Sequence, residues 1–135
     1  MSEKQVSMRE AFGTALVELG RARPEVVVLD ADLGSSTRAA VFGQAFPDRY
    51  IQCGIAEQNM VGMASGLAAV GFLPFCVSFC TFIVKRVTDQ VNIAVTYPRR
   101  NVKLVGVYSG IFTGKTGATH QAVDVTWRSC ARCPT

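Results

Sequence analysis

The chain has 135 residues, of which 49% are hydrophobic and 18% charged, so it has the size and composition of one core-forming domain and not of a disordered or fibrous protein. Its net charge of +4 comes from scattered basic residues, which argues against a nucleic-acid partner, and no apolar run is long enough to span a membrane. The N-terminus carries no secretory signal, and five cysteines without such a signal predict free thiols in the cytoplasm.

The first half of the chain alternates helical and strand patterns. Ser7 and Glu10 fit a capping box before an apolar face at helical spacing, which predicts a helix that stops near Gly20. Three consecutive valines then predict a buried strand over residues 25–29. The elements predicted after this strand are a helix over 37–46, a strand over 49–53 and a helix over 56–70.

The second half continues this alternation with a strand over 72–79, a helix to about Thr96 and a strand over 102–107. A glycine-rich loop over 110–117 follows the last strand. Strands that alternate with helices are typical of α/β domains with helices on both faces of the sheet. We therefore expect an open, mostly parallel α/β sheet. Ligands of such sheets bind beyond the carboxyl ends of the strands.

Polar and aromatic residues follow the predicted strands, and each has a structural and a functional interpretation. Residues 30–37, after the first strand, form either a turn with a helix cap or a polar cradle for an anion. Glu57 either complements the dipole of its helix or moves a proton in apolar surroundings. Phe79 and Phe82 either fill the core or stack on a flat heteroaromatic ligand.

The last loop supports a rival hypothesis. Gly114, Lys115 and Thr116 end a phosphate-binding (Walker A) pattern in which Ser109 stands where the first glycine belongs. A nucleotide- or phosphate-binding module is therefore the alternative function. His120, the chain's single histidine, follows this loop and has either a surface role or a catalytic one.

Taken together, the segments resemble the pyrimidine-binding domain of transketolases, enzymes that depend on thiamine diphosphate. They occur in the family's order over about residues 8–123. Within the run IAEQNM, Asn59 favours transketolase over the related deoxyxylulose-phosphate synthases. The matching stretches are MREAFGTALVELG, VVVLDADLGSST, PDRYIQCGIAEQNMVGMASGLA, LPFCVSFCTF with RVTDQ, and GATHQAV.

The resemblance assigns cofactor roles position by position. Glu57 matches the glutamate that hydrogen-bonds the pyrimidine nitrogen N1′ of thiamine diphosphate and favours the imino tautomer, which activates the cofactor. Phe79 and Phe82 match aromatic residues that line the pyrimidine pocket, and Asp32 matches an acidic residue near the thiazolium. On this basis Glu57 and His120 are the expected catalytic residues.

The sugar side of the site departs from the family pattern. Arg9 and Ser36 match groups that hold the sugar phosphate, and His120 matches a histidine near the reacting hydroxyls. Thr116 replaces an aspartate that contacts the donor sugar, and Tyr108 stands where a phosphate-binding histidine is common. The resemblance implies transfer of a two-carbon ketol unit from a ketose to an aldose, with a sugar phosphate or a related sugar as substrate. Because the sugar side is altered while the cofactor side is intact, we expect a sugar other than the usual pentose phosphates.

The cofactor of this family needs a second domain. Thiamine diphosphate lies between the pyrimidine-binding domain and a domain that holds its diphosphate and Mg²⁺, and the sequence matches only the first of these. The resemblance thus implies a separate diphosphate-binding subunit, an oligomeric assembly, and no metal ligand in this chain.

The end of the chain is expected to be atypical. We expect a partial pyrimidine-binding domain over residues 1–124, incomplete at its C-terminus, and an aberrant tail over 125–135. One choice of codons for the tail, read in another frame, encodes a sequence similar to what the family has next, which predicts a frameshift near Asp124. An inactive, truncated remnant is therefore a further interpretation.

Overall fold

The computed structural model describes residues 7–111 and 113–123. Its strands form a four-stranded, all-parallel sheet in the order β2-β1-β3-β4. The register places Asp30 beside Gln52 and Val77, so the carboxyl ends of neighbouring strands meet at one edge. This confirms the predicted parallel α/β sheet. The strands are β1 (Val26–Asp30), β2 (Tyr50–Gln52), β3 (Leu73–Phe79) and β4 (Lys103–Val107).

Helices connect these strands and cover the sheet. The long helices are α1 and α4, and the others are single turns or short segments. They are α1 (Met8–Ala22), α2 (Gly34–Thr37), α3 (Ala40–Ala45), α4 (Glu57–Ala69), α5 (Cys80–Lys85) and α6 (Thr88–Gln90). A π-helical segment, Val91–Thr96, extends α6, and single 3₁₀ turns lie at Pro47–Arg49 and Ala118–His120.

The core consists of two apolar layers, one on each face of the sheet. Successive residues of β1 point to opposite faces. Val27 packs in the layer that contains Met60 of α4, whereas Val28 packs in the layer that contains Leu16 of α1 and Phe42 of α3. All five residues of β1 are buried, which explains why this strand has the continuous apolar run expected of a central parallel strand. The prediction of helices on both faces is confirmed.

The first helix begins at Met8, directly after Ser7 as predicted, but the predicted capping box and the predicted stop near Gly20 are wrong. Among the described residues, the Ser7 side chain makes no cap hydrogen bond, and Glu10 instead forms an ion pair with Arg38 at 2.7 Å. The helix also continues through Gly20 to Ala22. A Cβ atom on Gly20 would lie 2.5 Å from the ring of Phe42, so this glycine allows close helix packing rather than ending the helix.

The predicted helix over 37–46 is divided into α2 and α3. Arg38, with φ of 68°, adopts the left-handed conformation between them and interrupts the hydrogen-bonded ladder. The helix predicted after β3 is likewise divided into α5, α6 and the π-helical segment. The proposed boundary at residue 124, the tail and its frameshift lie outside the described residues and stay predictions.

The described thiols are structural in character. Burial raises the pKa of the Cys76 thiol to about 12, and burial also raises the pKa of Cys53. A thiol with a raised pKa is a poor nucleophile at neutral pH.

No helix within the described ranges has the length and apolar character that a membrane span requires.

Candidate active site

A cavity of ≈ 270 Å³ opens at the carboxyl edge of the sheet, where parallel sheets bind their ligands. Its wall is formed by the turn after β1, the start of α4, the helix after β3 and the 3₁₀ turn near the end of the described chain. The lining residues are 31–33, Ile55, Glu57, Phe82, Arg86, Thr119 and His120. Four of the residues singled out in the sequence therefore meet in one cleft, namely Asp32, Glu57, Phe82 and His120.

Glu57 supplies the buried charge of the cleft. It is the first residue of α4 and only 3% exposed, and both of its carboxylate oxygens accept hydrogen bonds from Arg86 Nη1, at 2.8 and 2.9 Å. The positive end of the helix dipole also favours a carboxylate at this position. Desolvation and a single counter-ion together make Glu57 the most strongly constrained charge in the cleft.

Arg86 was not predicted as a site residue. It follows α5 directly, and its guanidinium carbon lies 3.9 Å from the ring centroid of Phe82. A carboxylate buried in apolar surroundings requires a counter-ion, so the sequence does contain one signal for an unidentified cation near Glu57. Choosing Arg86 among the 14 lysines and arginines requires the fold.

Aromatic rings form one side of the cleft. Phe79 and Phe82 stack with their centroids 5.8 Å apart and an interplanar angle of 15°. The His120 ring meets Phe82 edge-on at 5.1 Å and Phe79 at 6.0 Å. Phe82 lines the cavity, whereas Phe79 is buried behind it and supports both rings. This is an apolar wall suited to a flat ring.

Asp32 lies at the cleft in a strained turn. Its φ is 62°, and its backbone N–H donates to Gln52 Oε1 at 2.9 Å. The Gln52 amide also donates a hydrogen bond to the buried Asp30 carboxylate. The same carboxylate accepts hydrogen bonds from the backbone N–H groups of Leu33 and Gly34. Left-handed backbone in a non-glycine residue persists where the surroundings fix it, and such strain is concentrated at functional sites. Asp30 belongs to the stretch 30–37 that the sequence offered as a turn or a polar cradle, whereas Gln52 was not predicted to support the site.

Arg9 and Ser36 lie together beside the cleft. Arg9 Nη1 donates to the Ser36 backbone carbonyl at 3.2 Å and to the Tyr108 hydroxyl. The Tyr108 ring meets Phe79 edge-on at 5.0 Å, which connects this cluster to the aromatic wall. The fold thus brings together residues 99 positions apart, although neither Arg9 nor Ser36 lines the cavity itself.

The glycine-rich loop brings His120 to the cleft but leaves Thr116 outside it. The Thr113 hydroxyl donates to the His120 carbonyl at 3.3 Å, and a 2.8 Å hydrogen bond joins the Thr119 hydroxyl to His120 Nδ1. The Thr116 hydroxyl donates back to the Thr113 carbonyl at 2.8 Å, and Thr116 is exposed rather than part of the cavity wall.

The loop does not have the geometry of a Walker A motif. Such a motif ends in an α-helix whose first N–H groups bind phosphate. Here residues 114–116 form a turn, and the described chain continues with a single 3₁₀ turn, Ala118–His120. The structural basis for the rival nucleotide-binding hypothesis is therefore absent from the described residues.

Comparison with known proteins agrees with this geometry. Residues 4–134 match the family model described as "Transketolase, pyrimidine binding domain". The chain belongs to this family. The resemblance inferred from the sequence is thereby confirmed, and the buried glutamate, aromatic wall and histidine belong to a transketolase pyrimidine-binding domain.

Relatives of this transketolase domain include chains named as separate subunits or sections. A protein named "Putative transketolase C-terminal section" from Methanocaldococcus jannaschii is 46% identical over 117 residues, which cover 87% of this chain and 37% of the relative. The 6-deoxy-6-sulfo-D-fructose transketolase subunit SqwH from a Clostridium species is 41% identical, with 87% and 36% covered. A solved structure described as "Split gene transketolase, inactive beta4 tetramer" is 41% identical, covers 97% of this chain and 41% of that chain, and has a TM-score of 0.81.

This transketolase-family chain spans only about 37% of the length of the M. jannaschii relative. Among the described residues, those that line the cavity run from residue 31 to His120. No group of three or more histidine, cysteine, aspartate and glutamate residues able to hold a metal ion occurs in the part of the chain that the structure describes.

Proposed function

We propose that this chain is the pyrimidine-binding subunit of a two-chain transketolase that moves a two-carbon ketol unit from a ketose to an aldose. The observation that carries the proposal is the Glu57 carboxylate, 3% exposed at the first turn of α4 and facing an aromatic-walled cleft. The names of its relatives, a C-terminal section and a transketolase subunit, support a two-chain enzyme.

The cleft fits the pyrimidine half of thiamine diphosphate. A flat ring stacks on Phe82, and a ring nitrogen at its edge pairs with a buried carboxylate such as Glu57. When bound, thiamine diphosphate supplies the carbon nucleophile and the electron sink for cleavage and formation of the carbon–carbon bond. The protein's contribution is to bind, orient and tune that group.

The residues of this chain divide the work between cofactor and sugar. Glu57 holds the proton shared with the pyrimidine nitrogen N1′, and Phe79 and Phe82 fix the plane of the ring. Asp32 places a negative charge at the cleft near the thiazolium. His120 lines the cleft and is the group that we assign to a sugar hydroxyl.

The Arg9 cluster is proposed to bind the distal end of the sugar. Its guanidinium is held by the Ser36 carbonyl and the Tyr108 hydroxyl beside the aromatic wall, and it suits a phosphate or a related anion. Thr116 lies outside the cavity, so a sugar contact from Thr116 requires movement of its loop. The donor sugar is therefore selected mainly by His120 and the Arg9 cluster.

The diphosphate and Mg²⁺ are assigned to a partner. We propose a separate diphosphate-binding subunit in an oligomeric, cytoplasmic complex, with the cofactor between the two subunits. The chain alone is expected to be inactive. The related split-gene transketolase, which was solved as an inactive beta4 tetramer, supports this expectation.

Reconstitution tests the proposal. The chain is mixed with the diphosphate-binding transketolase subunit of its source, thiamine diphosphate and Mg²⁺, and ketol transfer between sugars is measured. We expect turnover only in the mixture. Glu57→Gln should reduce kcat by roughly 10²–10⁴-fold, the range of general acid–base contributions.

Glu18→Gln provides the matched control. It makes the same change in charge at an exposed position of α1, and we expect its kcat to equal that of the wild type. Turnover by Glu57→Gln at the wild-type rate would remove Glu57 from the mechanism. A reconstituted mixture that stays inactive with every ketose donor would refute the proposed function.

A further inference from the structure

The Arg86 guanidinium makes two contacts in the cleft. Its Nη1 donates to both oxygens of Glu57, and its plane lies over the Phe82 ring with the central carbon 3.9 Å from the centroid. Arg86 and Glu57 are 29 positions apart, so the pair is a tertiary contact. Both partners of Arg86 line the cavity itself.

A guanidinium and an aminopyrimidine share the features that these contacts use. Both are planar, both stack on an aromatic face, and both form a hydrogen bond with a carboxyl group at the edge of the plane. The guanidinium donates through its N–H groups, whereas the ring nitrogen of the pyrimidine shares a proton with the carboxyl group. Phe82 and Glu57 are the same two groups that the proposed function assigns to the pyrimidine ring. Arg86 and the ring therefore need the same contacts.

The two members of the ion pair differ in exposure. The side chain of Arg86 is 43% exposed, whereas that of Glu57 is 3% exposed. Arg86 can move into water at low cost, because a hydrated guanidinium is stable. Glu57 cannot leave its site, and a buried carboxylate without a partner is strongly unfavourable.

We propose that Arg86 is a positioning residue that occupies the pyrimidine's place until the ring displaces it. While no ligand is bound, Arg86 neutralises Glu57 and keeps its carboxylate oriented toward the cleft. On binding, Glu57 takes up a proton from water and shares it with the ring nitrogen, the ring covers the face of Phe82, and Arg86 moves into solvent. This inference rests on the proposed function, since it takes the ligand to be an aminopyrimidine.

The first measurement concerns the pair without ligand. Thermal unfolding of the full chain is compared for the wild type, Arg86→Met, Glu57→Gln and the double variant. Arg86→Met should lower the unfolding midpoint by roughly 5–10 °C, because it leaves Glu57 buried and unpaired. The double variant should recover most of that loss. Equal midpoints for Arg86→Met and the wild type would overturn the inference.

The second measurement concerns competition. The probe is the free hydroxymethyl aminopyrimidine of thiamine, titrated into the full chain and followed by ligand-observed NMR. Arg86→Met should bind it at least about fivefold more tightly than the wild type, because the competing guanidinium is gone. This gain in affinity should vanish in the Arg86→Met, Glu57→Gln double variant. Lys85→Met removes a cation from the neighbouring position in the chain and should leave the affinity unchanged.

Arg86→Lys provides an independent test of the inference if the Arg86→Met variant does not fold. It keeps the charge but has no planar group to cover Phe82, so its affinity should lie between those of the wild type and Arg86→Met. Measurable but equal binding by the wild type and both Arg86 variants, or weaker binding by the variants, would overturn the inference alone. No binding by any protein would overturn the proposed function together with it.

Discussion

Two buried carboxylates, Asp30 and Glu57, differ in what neutralises them. Asp30 is 1% exposed and accepts hydrogen bonds from the backbone N–H groups of Leu33 and Gly34 and from the Gln52 amide. Glu57 is 3% exposed and is paired with a single arginine whose side chain is 43% exposed. The first set includes two backbone N–H groups that the fold fixes, whereas the second is one long, partly exposed side chain.

The difference separates a structural carboxylate from an available one. The two backbone donors to Asp30 belong to the turn after β1, so they cannot be exchanged for a ligand without unfolding that turn. Arg86 can be exchanged, because only a side chain must move. We therefore expect replacement of Asp30 to affect stability above all, and replacement of Glu57 itself to affect binding and turnover more than stability.

Asp30→Asn should have the largest effect on stability. The asparagine side chain would place an amide N–H donor against backbone N–H groups from which the carboxylate accepts hydrogen bonds. We therefore expect a loss of about 2–4 kcal/mol in the free energy of unfolding. Glu57→Gln should cost less than about 1 kcal/mol, because the remaining Arg86 is hydrated. Chemical denaturation of both variants measures the contrast, and equal losses would abolish the distinction between the two carboxylates.

Gly34→Ala should have the next largest effect. A Cβ atom at this position would contact the Tyr50 hydroxyl and lie 3.1 Å from Asp30 Oδ2, so it crowds the Asp30 network. We expect a loss of about 1–2 kcal/mol. Gly66→Ala is the control, because a Cβ there meets no atom within 4 Å and should stabilise α4 by up to about 1 kcal/mol. A harmless Gly34→Ala would show that the turn adapts more freely than its contacts indicate.

Tyr50→Phe should have the smallest effect, with a distinctive pH dependence. Burial, together with the charge and hydrogen bond of Asp30, raises the pKa of Tyr50 above its ordinary value of 10.0. The neutral hydroxyl therefore stabilises the fold below about pH 10, and this contribution is lost as the pH rises further, because the unfolded chain ionises first. We expect Tyr50→Phe to cost about 1 kcal/mol at pH 8.

The advantage of the wild type over Tyr50→Phe should shrink above about pH 10. Urea denaturation of both proteins across this range measures it. A constant difference between the two proteins would show that the hydroxyl is not coupled to Asp30. A growing difference would contradict the raised pKa of Tyr50.

The sequence by itself determined the sheet and the place of the site. The row of valines in β1 predicts a strand that is buried on both faces, and the alternation of strands with helices predicts that its sheet is parallel. Since parallel strands end at one edge, Glu57, Phe82 and His120 were predicted at that edge, and all three line the cavity. These inferences succeed because periodicity and strand polarity are local properties of the chain.

Only the tertiary structure decided which side chains meet. Arg86 reaches Glu57 across 29 positions, and Arg9 reaches Tyr108 across 99. The resemblance singled out Arg9 as a sugar-phosphate group, but no local pattern in the sequence gives the partner of either arginine. Gly20 resembled a helix stop and proved to be a contact point for Phe42, because its role depends on a ring from another helix. Pairings of this kind are set by the packing of elements that lie far apart in the chain. The identity of the partner to a buried charge is therefore settled only when those elements come together.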